Sequence, residues 1–266
     1  MHPLLPSLAA AFLYAGATAY QGLRLTKRSI PDKRLLVALG TLALCLHVVS
    51  LFFQLYDAHG LNLDFFNAAS LIACAVIALI LLACARIPVE NLLLLLFPLG
   101  TLTVLAAEFI PSGTINPIDE HPGILAHILF SILAYGMLTI AVFQSVLLLL
   151  QDYQLKHKHP TRFIRTFPPL QTMEQLLFQF LLCGEVLLTL ALLSGFVFLD
   201  NMFAQHLAHK TLLSCLAWIV FGILLWGRHF RGWRGSNAIR WTLAGFLLLM
   251  LAYFGSKLVR AFLLAA

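Results

Sequence analysis

The chain has 266 residues, 61% of them hydrophobic and 11% charged. A soluble globular domain carries about 25% charged residues, so the composition excludes an ordinary water-soluble fold and points to a polytopic membrane protein. The net charge of +6 would suit nucleic acid, but the cations stand in loops between apolar runs, where they orient a membrane protein instead. Membrane lipid is therefore the expected partner, and nucleic acid is not.

Eight apolar runs come near the roughly 20 residues needed to cross hydrocarbon. They cover about 4–23, 35–56, 65–85, 91–109, 123–150, 176–199, 210–227 and 239–261. No cation precedes the first run, so it reads as a retained span and not as a cleaved leader. It is rich in small residues (Ala9, Ala10, Ala11, Ala15, Gly16, Ala17), which suits close helix packing. Pro98 lies inside the fourth run and is expected to kink it. The fifth run is long and is expected to project past Leu150. Between it and the sixth, Leu170, Met173, Leu176 and Leu177 stand at helical spacing, which predicts a short interfacial helix over 169–180.

The loops after runs one, three, five and seven carry 14 of the 17 cations. That asymmetry places those loops in the cytoplasm and both termini outside. The fold class is therefore an all-α membrane helix bundle of eight transmembrane helices, forming a single integral membrane domain over 1–266. The cysteines Cys45, Cys74, Cys84, Cys183 and Cys215 lie in apolar stretches with no CxxC or CxxCH pattern, and they read as small buried hydrophobes.

Ionisable side chains are costly at membrane depth and mark candidate sites. His47 lies past the midpoint of run two, with Ser50 and Gln54 on its helical face. His127 lies about one and a half turns below the outer surface in run five, and Ser131 and Tyr135 continue its face. His209 stands at the start of run seven, beside Lys210; with His206 it shares a face if the helix begins early. All three fall in the outer half of the bilayer. Each has a plain alternative: a hydrogen-bonded core histidine for His47 and His127, a solvated loop residue for His206 and His209. Glu185 lies near the middle of the sixth expected span, where an acid is rarest. It would serve as a hydrogen-bond partner to a histidine or as part of a proton path, or simply bond a backbone carbonyl.

Imidazole is a common ligand of haem iron. Zinc would ask for three or four ligands with cysteine or carboxylate among them, and the cysteines do not cluster with the histidines by depth. Two imidazoles from facing helices and an apolar slot would suffice for a bis-histidine haem b. Lys210, Lys257 and Arg260 break the cytoplasmic cation pattern at the outer rim. There they would neutralise haem propionates or snorkel to the interface.

Several stretches resemble the cytochrome c assembly superfamily, the haem-handling membrane proteins of CcsA/CcmC type, and within it the short YpjD/HemX-like branch. His47-Val-Val-Ser-Leu with Leu63-Asp64-Phe65-Phe66-Asn67 resembles the family's transmembrane histidine and the loop after it. Pro122-Gly-Ile-Leu-Ala-His127-Ile with Ala134-Tyr135 resembles the segment whose histidine is an outer-side haem ligand. Leu187-Leu188-Thr189 and Ser194-Gly195 resemble its next helix. Lys210-Thr211, Trp218, Arg228, Gly232-Trp233-Arg234-Gly235, Gly245-Phe246 and Tyr253-Phe254-Gly255 follow the order of its last third. The family's tryptophan-rich outer motif has no counterpart between Asp200 and Lys210, and its second transmembrane histidine falls at Trp226.

The resemblance implies one haem site, held by His47 and His127 or with His209 in place of one of them. Cytochrome assembly or haem-biosynthesis proteins become the expected partners, in a bacterial inner membrane. No nucleophile stands with a base and no phosphate loop is present, so no catalysed covalent reaction is expected. The rival readings are a regulator or scaffold without haem, a b-type redox protein, and an ion transporter built on Glu185 and the histidines.

Overall fold

A computed structural model describes residues 4–26, 31–57, 60–62, 65–110, 122–157, 167–198 and 205–255. These form eight α-helices: α1 (Leu4–Thr26), α2 (Lys33–Leu55), α3 (Phe65–Cys84), α4 (Leu93–Phe109), α5 (Pro122–Lys156), α6 (Leu170–Phe198), α7 (Gln205–Arg231) and α8 (Ser236–Met250). A two-residue antiparallel pair, β1 (Tyr56–Asp57) and β2 (Gly60–Leu61), follows α2. A single 3-10 turn, Glu90–Leu92, leads into α4, and a π turn, Leu251–Gly255, continues α8.

Among the described residues six helices, α2 to α7, are long and apolar enough to cross a membrane. Long helices are the expected solution there, because every backbone N–H and C=O must be satisfied within the segment. The run expected at 239–261 is α8 plus the π turn as far as Gly255, and its remaining residues lie outside the described ones. α5 continues past Leu150 to Lys156, as its hydropathy predicts. The separate interfacial helix expected at 169–180 is a correction. α6 starts at Leu170 and runs unbroken to Phe198, and Met173, Glu174, Leu176, Leu177 and Phe180 are all buried. Packing within the protein, not a bilayer surface, covers that apolar face.

The helices group into two compact units. The first comprises residues 1–118 with 154–168, and the second 119–153 with 169–266. In the first unit α1 packs on α2 and α4, and α3 packs on α2 and α4. Ser7, near the start of α1, meets Ser50 late in α2 and Glu108 late in α4. At the opposite end Gln21 donates to the Glu90 carbonyl (3.0 Å), and Lys33 pairs with the Glu90 carboxylate. α1 therefore runs antiparallel to both α2 and α4. The core is built by Tyr14, Leu36, Ile77, Ile80, Leu93 and Phe97, all fully buried.

Close approach in this unit needs Gly100. A Cβ there would stand 2.6 Å from Ile77 Cδ1 and 3.1 Å from the Tyr14 ring. Gly100→Val is expected to cost about 1–3 kcal/mol by overpacking, read as a lower thermal unfolding midpoint in detergent. An unchanged midpoint would mean that α1, α3 and α4 do not interlock here.

In the second unit α7 packs on α6 and α8. Gly184 on α6 lets α5 approach, since a Cβ there would stand 2.7 Å from Leu138 Cδ2. The turn from α7 to α8 uses Gly232 and Gly235 at φ +64° and +54°, the left-handed region that glycine tolerates without a Cβ penalty. Arg234 Nε and the Gly235 N–H both donate to the buried Glu174 carboxylate, each at 2.9 Å. The Arg228 guanidinium lies 4.6 Å over the Phe178 ring and donates to the Trp233 carbonyl. Cation, backbone and carboxylate together fasten this turn to the start of α6.

Candidate functional site

His47 is fully buried in the first unit. Its helix presents Gly40, Ala43, His47, Ser50 and Leu51 to the interior, so the polar stripe expected from the 3.6-residue period does face protein. Both ring nitrogens are engaged. Nε2 lies 2.9 Å from Ser70 Oγ of α3, and Nδ1 lies 3.4 Å from the Tyr14 hydroxyl of α1. The Tyr14 ring meets His47 edge-on and stacks on Phe97. Three helices thus close around this imidazole.

Ser50 and Gln54 continue the same face into a second polar cluster. Ser50 Oγ is 2.6 Å from Ser7 Oγ, Ser7 donates to Glu108 (2.7 Å), and Gln54 Nε2 donates to the same carboxylate oxygen (2.8 Å). Such groups are costly in an apolar bundle unless they satisfy one another. Tyr14, Ser70, Ser7 and Glu108 were not singled out from the sequence. Their only sequence signal is polarity or a hydroxyl on an otherwise apolar face.

His127 stands differently. It is half-buried in the second unit, with Nδ1 2.8 Å from the Ala191 carbonyl of α6. Ser194 Oγ lies at 3.5 Å from the same nitrogen and itself donates to the Ala191 carbonyl. A carbonyl only accepts, so the proton of this bond sits on Nδ1. In the neutral ring that leaves the Nε2 lone pair for an acceptor role. An imidazole whose other nitrogen is held by a backbone carbonyl is the usual arrangement of a metal-ligating histidine.

The remaining expected residues are placed as follows. Tyr135 is buried, and its hydroxyl donates to the Leu249 carbonyl of α8, just before the π turn. Ser131 is half-buried on α5. Glu185 is 8% exposed on α6, and its Oε2 is buried with no hydrogen-bond partner among the described residues. α7 begins at Gln205, early enough to include both His206 and His209. The side chains of His206 and His209 lie outside the described ones, as do Lys257 and Arg260 altogether. Lys210 is half-buried at the start of α7. The first unit therefore holds His47 and the second holds His127 and Glu185, with the His209 position on a helix of that second unit.

Apolar spanning helices with a few buried, mutually satisfied polar groups define a multi-pass helical membrane protein. The chain belongs to the cytochrome c assembly protein family, whose model matches residues 35–264. It is 33% identical over 230 residues to the inner membrane protein YpjD of Escherichia coli, covering 86% of this chain and 87% of that protein. It is 24% identical over 162 residues to protein HemX of Brevibacillus brevis, 59% and 60% of the two chains. The cytochrome c biogenesis protein CcsA of Chlamydomonas reinhardtii is 26% identical over 158 residues, 58% of this chain and 43% of that one. No solved structure matches.

Proposed function

We propose that this protein binds haem b in a bacterial inner membrane and handles it in support of cytochrome c assembly or haem homeostasis, without catalysing a covalent reaction. In this reading eight segments span the membrane and both termini face outside. Family membership and the printed name of the YpjD relative support the setting. The observation that carries the haem reading is the His127 imidazole, anchored through Nδ1 on the Ala191 carbonyl with Nε2 left as the ligating nitrogen.

The residues fit the group unequally. His127 fits a ligand role, since its Nδ1 is held by the Ala191 carbonyl. His47, fully enclosed and bonded on both nitrogens, would have to surrender Ser70 or Tyr14 first. We pair His127 with His209, whose helix belongs to the same unit, and leave His47 to brace the first. Lys210, Lys257 and Arg260 are assigned to the propionates, where ammonium and guanidinium groups form charge-assisted bonds. Bound haem would supply a one-electron iron couple; the chain would supply the imidazoles that hold it and the cations that pair with its propionates.

The test is an absorption spectrum of the full chain purified in mild detergent, oxidised and then reduced with dithionite. A Soret band that shifts on reduction, with a resolved α band, is the expected result. A protein that stays colourless after haem is supplied during expression would refute the reading.

A further inference from the structure

The second unit holds one buried acid that neither its packing nor haem ligation uses. Glu185 lies in the interior stretch of α6, 8% exposed, and Oε2 has no hydrogen-bond partner among the described residues. It is set against α7 at a glycine. A Cβ on Gly222 would stand 3.6 Å from Glu185 Oε1, so the position facing the carboxyl carries no side chain. By contrast the other buried acid of this unit, Glu174, is fully engaged by Arg234 and the Gly235 N–H. Stability alone accounts for Glu174. It does not account for a carboxyl whose Oε2 is buried without a partner among the described residues, which costs free energy as an acid and far more as an anion.

Glu185 also shares a helix face with the anchor of His127. Gly184, Glu185, Leu188, Ala191 and Ser194 all belong to the buried side of α6, and Ala191 is the residue whose carbonyl holds the imidazole. Six residues separate Glu185 from Ala191, about 9 Å along the axis. The titratable and charged groups on these helices are His127, Tyr135, Asp152, Tyr153 and Lys156 on α5, His206, His209, Lys210, Cys215, Arg228, His229 and Arg231 on α7, and Glu174 and Cys183 on α6 itself. His127 Nδ1 and the Tyr135 hydroxyl are occupied by backbone carbonyls. Of these groups, His127 is the one tied to the Glu185 face, through the Ala191 carbonyl, so whatever it binds adds a charge beside that face.

We propose that Glu185 couples the redox state of the bound iron to proton uptake. This rests on the haem reading above. A bis-imidazole haem core carries one positive charge when ferric and none when ferrous. The positive core offsets the cost of a nearby buried carboxylate, and a neutral core does not. When an external one-electron donor reduces the iron, the Glu185 carboxylate takes one proton from water and becomes the carboxylic acid. Reoxidation returns the electron to an acceptor and the proton to water. One electron and one proton enter together, and no bond to the iron changes.

The experiment is a potentiometric titration of the haem-loaded full chain at several pH values, in wild type, Glu185→Gln and Glu185→Asp. In the wild type the midpoint falls as pH rises. A tenfold difference in carboxyl proton affinity between the two iron states gives a total fall of about 59 mV. Glu185→Gln is expected to be flat over the same range, and Glu185→Asp to keep the fall. An equal fall in Glu185→Gln overturns the proposal, as does a flat wild type. Should Glu185→Gln fail to fold, the wild-type infrared difference spectrum decides. A carboxylic C=O band that appears on reduction and shifts in deuterium oxide supports the coupling, and its absence overturns it. A wild type that binds no haem fails at the first step, which separates loss of the underlying reading from loss of this one.

Discussion

His127→Ala is expected to purify as a folded membrane protein that has lost its haem, whereas His47→Ala is expected to keep the haem and lose stability. The two imidazoles sit in opposite situations. His127 is half-buried and held on one nitrogen by the Ala191 carbonyl, so removing it deletes a ligand while leaving a backbone acceptor that Ser194 still reaches. Loss even of an outer partner of a metal ligand commonly costs 10–100-fold in affinity. Loss of the ligand itself should therefore lower the haem-to-protein ratio by at least about tenfold.

His47 fills a closed site between three helices. Its truncation leaves a cavity and takes a partner from the Ser70 hydroxyl and from Tyr14. Cavity formation and an unsatisfied buried group together put the cost at about 2–5 kcal/mol. Haem content from the spectrum and unfolding midpoint from a thermal melt, measured on the same samples, separate the two variants. Haem lost from His47→Ala at wild-type stability, and retained in His127→Ala, would reverse the assignment.

Arg234→Ala is expected to destabilise the second unit by about 1–3 kcal/mol, the cost of taking one partner from a buried hydrogen-bonding group. The pair is asymmetric. The Glu174 side chain is 4% exposed and that of Arg234 is 56% exposed. Truncating the arginine strands a carboxylate in the interior with one backbone N–H for company. Glu174→Gln keeps the shape and an acceptor for the Gly235 N–H, so its cost should be nearer 1 kcal/mol. The double variant should then be more stable than Arg234→Ala alone, because the stranded charge is gone. Thermal melts of the three proteins in one detergent measure this. Wild-type stability in Arg234→Ala would mean that the α7–α8 turn is held by Trp233, packed against Gly227 and Trp241, and not by the ion pair.

Several features of this architecture are plain in the one-dimensional order of residues. A run of about 20 apolar residues is a local property, set by bilayer thickness and backbone hydrogen bonding, and it places α2 to α5 and α7 within a few residues. Helical period likewise places Ser50 and Gln54 on the His47 face. Where a short amphipathic pattern continues directly into a span, local reading fails. The segment 169–180 looks interfacial from its own pattern, yet it is the first part of α6, because its apolar side meets other parts of the protein.

Pairing between helices is not local. Tyr14, Ser70 and His47 stand 33 and 23 residues apart, Ser7 and Glu108 stand 101 apart, and Glu174 and Arg234 stand 60 apart. Residue types alone nominate His47 and His127 equally. Only packing decides that one ring is enclosed with both nitrogens bonded while the other keeps a free side. Hydropathy and charge, summed along the chain, determined the class of protein, its helices and its expected orientation in the bilayer. The tertiary structure decided which polar groups meet, because helix register and rotation depend on many weak contacts between residues far apart in sequence.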